Sequence, residues 1–260
     1  MIKAIFFDID GTLISKQQTC ISEQVIKALK QLQEKGIKLF IASGRHYLEM
    51  EELGINQQFT FDGYLTINGG YCFNQDGVIY KNPIDPDDVA RIVAYVQKQH
   101  LACSFVESNN LYINLIDDYV IAAQKAINTS LPPVKDITRA LKNDIYQIDP
   151  FVGKEEIAKL VALLKHCKYT KWHDGAYDII PKVGGKKAGI KAVLDHYGIE
   201  LAETMAFGDG HNDLEMLEYV GTGICMANGH PETLERSDYV TDTVENDGIV
   251  KALSHFGLID

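Results

Sequence analysis

The sequence predicts an α/β protein, a doubly wound parallel sheet with a separate α+β unit inserted into it. Three observations carry that prediction. Short apolar runs alternate with helical periodicity over residues 1–82, the pattern changes to mixed strands and helices over 83–182, and the strand–helix alternation returns over 183–260. A chain of 260 residues is long enough for one large domain or two modest ones with ample core.

Ile2, Ala4, Ile5, Phe6 and Phe7 form a near-continuous apolar run, as expected of a strand buried on both faces of a parallel sheet. It runs into Asp8-Ile9-Asp10-Gly11-Thr12, where Gly11 permits a sharp turn and Thr12 offers a hydroxyl to fix it. Ser22 is placed to cap a helix over 23–35 with Val25, Ile26, Leu29 and Leu32 on one face, and Gly36 stops it. Ile37–Ala42 is a second strand ending in Ser43-Gly44-Arg45. Tyr64–Ile67 is a third, followed by Asn68-Gly69-Gly70 and a hairpin through Asp76-Gly77 to Tyr80.

In the insert, Asp85-Pro86 opens a helix to about Gln99. Strands near 103–107 and 111–116, a helix near 118–128 and the polar segment Thr129–Asn143 follow. A strand near 145–151, a helix near 154–165 and strands near 169–173 and 176–180 complete it. Beyond it come a helix near 186–197, the strand Thr204–Phe207 and a helix from about Asn212. A strand near 222–226, a helix from Pro231, a short strand at Tyr239-Val240 and a helix over 247–255 end the chain.

Composition is that of an ordinary globular protein, with 46% hydrophobic and 23% charged residues. No apolar run approaches the roughly 20 residues that span a bilayer, and no cleavable leader is recognisable, so a cytoplasmic location without membrane contact is expected. A net charge of −11 argues against nucleic-acid partners, which need a basic face. It also means that a phosphate ligand would depend on locally placed cations. The five cysteines are scattered and odd in number, which suits reduced thiols.

Chemistry-bearing residues gather at strand ends. Asp8 and Asp10, at i and i+2, lie where open α/β sheets place their ligands, and are compatible with a catalytic pair, a cation site or a helix cap. Ser43 and the Gly44 amide form a natural phosphate cradle or, alternatively, a simple N-cap. Lys186, in Gly184-Gly185-Lys186-Lys187 before a helix, is either a fixed ammonium or half of a solvated lysine pair. Gly208-Asp209-Gly210-His211-Asn212-Asp213 alone is compatible with a strand–helix loop.

Together the four segments resemble the four motifs of the haloacid dehalogenase-like (HAD) phosphohydrolase superfamily, in order and at successive strand ends. The resemblance implies a Rossmann-like core in which Asp8 is the nucleophile and Asp10 the general acid/base. It implies that Ser43, Gly44, Lys186 and Asn212 contact phosphate, with Lys186 favoured over Lys187. Asp8, the Asp10 carbonyl and Asp209 would hold Mg²⁺, with Asp213 acting through water or as an outer ligand. His211, in the variable position, reads as a bystander.

The insert resembles the Cof-type (class IIB) cap, which places the core at 1–82 and 183–260 and the cap at 83–182. Lys81-Asn82-Pro83-Ile84 and Asp178-Ile179-Ile180-Pro181 resemble its linkers. The motif-three region reads GGKKAG where Gly-x-Ser/Asp-Lys-Gly is more usual. The implied activity is Mg²⁺-dependent hydrolysis of a small phosphorylated metabolite, most like a hexose phosphate, by a monomer or weak homo-oligomer. A phosphomutase or phosphotransferase of the same fold, or a nucleotide or cofactor phosphatase, is the alternative. Trp172, His173 and Tyr112 are the candidate leaving-group contacts in the cap.

Overall fold

The computed structural model describes residues 1–259. The chain opens with β1 (Ala4–Phe7), α1 (Glu23–Glu34), β2 (Lys38–Ala42), α2 (Tyr47–Glu52), α3 (Ile55–Gln58), β3 (Gly63–Thr66), β4 (Tyr71–Asn74) and β5 (Gly77–Lys81). It continues through α4 (Pro86–Gln99), β6 (Ala102–Val106), β7 (Leu111–Ile113), α5 (Asp118–Ala126), β8 (Gln147–Phe151), α6 (Lys154–Ala162), β9 (Cys167–His173) and β10 (Ala176–Pro181). Next come α7 (Lys186–Tyr197), β11 (Thr204–Gly208), α8 (Leu214–Leu217), β12 (Thr222–Cys225), α9 (Pro231–Arg236), β13 (Tyr239–Val240) and α10 (Gly248–His255).

Eight strands form one sheet in the order β13-β12-β11-β1-β2-β3-β4-β5. The pairings from β13 to β3 are parallel, and the β3–β4 and β4–β5 edge is antiparallel. Strand geometry sends alternate residues of β1 to opposite faces. Ile5 and Phe7 pack with Leu29, Leu32, Ile249 and Leu253 of α1 and α10, whereas Ala4 and Phe6 pack with Ile190, Val193 and Leu217 of α7 and α8. Phe6 stacks on Phe40 at 5.0 Å and Phe7 on Phe207 at 5.2 Å, tying the three central strands together. Each such fully buried side chain contributes about 1.5–3 kcal/mol of transfer free energy.

The insert builds its own antiparallel sheet, in the order β7-β6-β8-β10-β9. One face packs on α4 and α6 through Cys103, Phe105, Ile148, Tyr177 and Ile179. The other face carries Ser104, Gln147, Asp149 and Asp178, and looks into the cleft between the two sheets.

Several local details differ from expectation. Thr12 does not fix the first turn: its hydroxyl is buried without a partner, and backbone bonds hold the turn, Gly11 N–H to the Ile14 carbonyl at 2.7 Å and Leu13 N–H to Ile9 at 2.9 Å. The polar segment 129–143 contains a 3₁₀ helix, Ile137–Lys142, which buries Ile137 and Ala140. Asp136 caps it by accepting from the Thr138 N–H. The helix expected from Asn212 begins as a 3₁₀ turn, His211–Asp213, before α8. Among the described residues no helix is long and apolar enough to cross a membrane.

Candidate active site

The site forms where β1, β2, β3 and β11 end side by side. Asp8 continues the β1–β11 pairing by donating its N–H to the Phe207 carbonyl at 3.0 Å, which brings it next to the loop carrying Asp209. Gly11 makes that approach possible. Its φ is +78°, and a Cβ there would lie 2.1 Å from Asp209 Oδ2, so no larger residue fits without displacing Asp209.

Asp8, Asp209 and Asp213 present carboxylate oxygens within 4.8 Å of one another. Asp213 is fixed by accepting the Asp209 and Gly210 N–H groups at 3.0 and 2.9 Å. Lys186, at the start of α7, is buried between them, with Nζ 2.6 Å from Asp8 and 2.5 Å from Asp213. Lys187 instead lies over the Tyr219 ring at 5.1 Å, so Lys186 is the lysine that reaches the carboxylates. Gly69 lets α7 come this close, since a Cβ there would sit 2.7 Å from the Gly185 carbonyl.

One ammonium does not balance this much negative charge. Burial, only partly opposed by Lys186 and reinforced by Asp213 and Asp10, pushes Asp8 up to about 7. Burial and the neighbouring Asp8 and Asp213 push Asp209 up to about 9. Burial works against the charge on Lys186, but Asp213 and Asp8 hold its ammonium above the ordinary value. Hard oxygen donors with surplus negative charge suit a small divalent cation such as Mg²⁺. Asp8, Asp209 and Asp213 are the side chains that fit it.

Asp10 leans the other way. Arg45 grips its carboxylate through both Nε and Nη2, at 2.6 and 2.7 Å, and Nη2 also donates to the Ile127 carbonyl of the insert at 2.7 Å. Burial opposes the guanidinium charge, but the hydrogen bond to Asp10 keeps it high. Ser43 Oγ accepts the Arg45 N–H at 3.2 Å. Ser43, Gly44 and Asn212 line the same cleft as Asp8 and Asp10. His46 caps α2 in a capping box with Glu49, so Ser43 is not a helix cap.

Sequence reasoning passed over Arg45 and also Asn68. Ile67 and Asn68 both hold positive φ, 55° and 51°, which is rare for a β-branched residue such as Ile67. The twist buries the Asn68 amide beneath Gly44. Its Nδ2 donates to Asp178 Oδ2 at 2.7 Å and Gln147 Oε1 at 2.9 Å, and its Oδ1 accepts from Asn212 at 3.3 Å. Asn228 was missed too, and donates to the Gly11 carbonyl at 2.8 Å. An Asn following a strand end was the one available signal for Asn68.

The cleft between the sheets has a volume of about 390 Å³. Trp172 lines it, packed edge-on against Phe151. Tyr112, expected as a leaving-group contact, is instead fully buried on the far face of the insert sheet, stacked on Phe105. His173 follows Trp172 to the other side of β9 and contacts the Asp174 carbonyl at 3.0 Å. His211, expected to be a bystander, lines the mouth of the cleft with His230, their rings 5.5 Å apart.

Stripped of divalent metal, the protein is expected to lose stability as pH rises. Asp8 at about 7 and Asp209 at about 9 lie above the ordinary 3.8. Between those limits the folded state binds more protons than the unfolded chain, so the slope of stability with pH is negative. The contribution is complete below about pH 4 and is lost as pH passes through the folded values. Melting curves in chelator from about pH 5 to 9 check this. Added Mg²⁺ should flatten the trend, and a melting temperature that climbs with pH in chelator would defeat the crowded-carboxylate account.

Residues 5–253 match the family described as haloacid dehalogenase-like hydrolase. The chain is 35% identical over 262 residues to YkrA of Bacillus subtilis (strain 168), whose name carries a provisional assignment as a phosphatase. That match covers 99% of this chain and 98% of YkrA. Among solved structures it superposes with a TM-score of 0.92 and 35% identity, over 100% of both chains, on one from a study of a trigonal-bipyramidal intermediate in a phosphoryl-transfer superfamily. It also superposes with a TM-score of 0.88 and 35% identity on BT4131, described as a HAD subclass IIB sugar phosphatase, covering 99% of this chain and 100% of that one.

Proposed function

The chain belongs to the haloacid dehalogenase-like hydrolase family and is a phosphatase, and we propose that it is a Mg²⁺-dependent phosphomonoesterase working through an aspartyl-phosphate on Asp8. Its substrate is a small phosphorylated metabolite of hexose-phosphate size. Residues 1–82 and 183–260 are the catalytic core, and residues 83–182 are the cap that selects the leaving group. The enzyme acts in the cytoplasm as a monomer or weak homo-oligomer. The observation that carries the reading is the convergence of Asp8, Asp209 and Asp213 on one another, with the buried Lys186 ammonium bound to Asp8 and Asp213.

In the first step an Asp8 carboxylate oxygen attacks phosphorus, the bond to the ester oxygen breaks, and the Asp10 carboxyl protonates the departing alkoxide. In the second, Asp10 takes a proton from water as that water attacks phosphorus, the Asp8–phosphorus bond breaks, and phosphate leaves. Lys186, Ser43, the Gly44 amide and Asn212 offset the charge gathered on the phosphoryl oxygens. Asp8, the Asp10 carbonyl and Asp209, with Asp213 as an outer ligand, would hold Mg²⁺, which would supply further neutralisation of the dianion. Arg45 grips the Asp10 carboxylate in the resting site, so that contact must open before Asp10 can reach the leaving group.

Phosphate release from a panel of phosphomonoesters tests this reading. Turnover is expected to vanish in chelator and return with Mg²⁺. Ca²⁺ should bind yet support little turnover, because a larger ion taking more oxygens can hold the Asp8 carboxylate through both atoms and block its attack. Full activity in chelator, or with Ca²⁺, would overturn a direct bond between Asp8 and the metal.

A further inference from the structure

We infer that the leaving group of the natural substrate carries a primary ammonium, held between Asp149 and Asp178 on the cap side of the cleft. The inference rests on the phosphatase reading and names the substrate class. β8 and β10 are adjacent, and their alternation puts Asp149 and Asp178 on the face opposite Ile148 and Ile179. Both line the cleft and are more than nine-tenths buried. Each accepts from a neutral amide: Gln147 Nε2 donates to Asp149 at 2.9 Å and Asn68 Nδ2 to Asp178 at 2.7 Å.

The nearby cations are already engaged. Lys186 pairs with Asp8 and Asp213, Arg45 with Asp10, and Lys171 with Asp174 at 2.5 Å. Among the described residues, three side chains lining the same cleft, Ser104, Arg45 and Trp172, have a buried polar atom without a partner. Ser104, directly across the β6–β8 ladder from Asp149, has no hydrogen bond to its hydroxyl, and Arg45 Nη1 is likewise unpaired. Burial, with Asp178 alongside Asp149 and Glu49 alongside Asp178, pushes both carboxyls up, Asp178 to about 7. Raised in this way, the pair favours holding a proton over carrying two negative charges.

An ammonium replaces that proton with three donors, enough for both carboxylates and the Ser104 hydroxyl. A neutral hydroxyl in its place leaves the pair protonated and forgoes the charge-assisted bonds. An anionic leaving group is repelled. Asn68 sets the scale of the substrate, since it bridges Asn212 and Asp178 in one side chain. The ammonium therefore sits close to the phosphoryl group, as in a phosphorylated amino sugar or amino alcohol.

The test compares kcat/KM for glucosamine 6-phosphate, glucose 6-phosphate and N-acetylglucosamine 6-phosphate in the intact Mg²⁺-loaded enzyme, with p-nitrophenyl phosphate as a reporter of core chemistry. The amine is expected to exceed the hydroxyl parent by about tenfold or more and the acetylated sugar by still more, because a buried polar site discriminates strongly against an analogue that leaves it unpaired. Asp149→Asn and Asp178→Asn should each collapse the amine-to-parent ratio toward one. Equal kcat/KM for amine and parent in the wild type overturns the inference, whatever the variants do, as does a ratio unchanged in both folded variants. Turnover of p-nitrophenyl phosphate without amine preference defeats this inference alone, whereas failure on every phosphomonoester defeats the phosphatase reading beneath it.

Discussion

Asp8→Asn is expected to lower turnover by about 10⁴-fold or more while leaving the fold intact, as the loss of a covalent nucleophile does elsewhere. The amide has the shape of the carboxylate but cannot form an acyl phosphate. The fold should tolerate the exchange, because Lys186 keeps its contact with Asp213 and the Asp8 charge is already disfavoured beside two other acids. The Asp8 N–H that extends the β1–β11 ladder belongs to the backbone and is unaffected. Phosphate release on a protein checked by mass spectrometry for deamidation measures the effect, and near-normal turnover would remove Asp8 from the chemistry. Asp10→Asn should also be severely impaired.

What the sequence made legible was local. Asp8, Asp10, Ser43, Asp209 and Asp213 follow short, near-continuous apolar runs, and a parallel sheet brings the ends of such strands together. Helices α1, α4 and α7 have 12, 14 and 12 residues, enough turns for their period to show. Helices α2 and α3, with 6 and 4 residues, have too few turns to show one. Other features depended on pairing between distant segments. Tyr112 and Ser104 are both strand residues, and only the β6–β7 register, with Phe105 opposite Tyr112, decides that Tyr112 faces the helices. Arg45 became part of the site through Asp10, 35 positions earlier, and Asn68 through Asp178, 110 positions later. No periodicity encodes such contacts. Thr12 shows the converse error, since turn chemistry suggested a hydroxyl bond that the backbone made unnecessary.

Lys186→Met is expected to cost both activity and stability, and the two losses should separate in a double variant. Met keeps much of the aliphatic length but removes the ammonium that contacts Asp8 and Asp213 at 2.6 and 2.5 Å. Breaking one side of a buried ion pair ordinarily costs about 3–5 kcal/mol, because the partner is left charged without compensation. Here Asp8, held near 7, and Asp209, near 9, can relieve part of that by taking protons, so the melting temperature should fall more at pH 8 than at pH 5. Turnover should fall about 10²–10³-fold through loss of a fixed charge aimed at the phosphoryl oxygens. Adding Asp213→Asn removes one of the orphaned carboxylates, and should recover part of the stability but none of the turnover. If the double variant regained activity along with its melting temperature, Lys186 would be a structural counter-ion and nothing more. If Lys186→Met alone kept normal kcat, the ammonium would have no part in phosphoryl transfer, and Ser43, Asn212 and the metal would carry that charge without it.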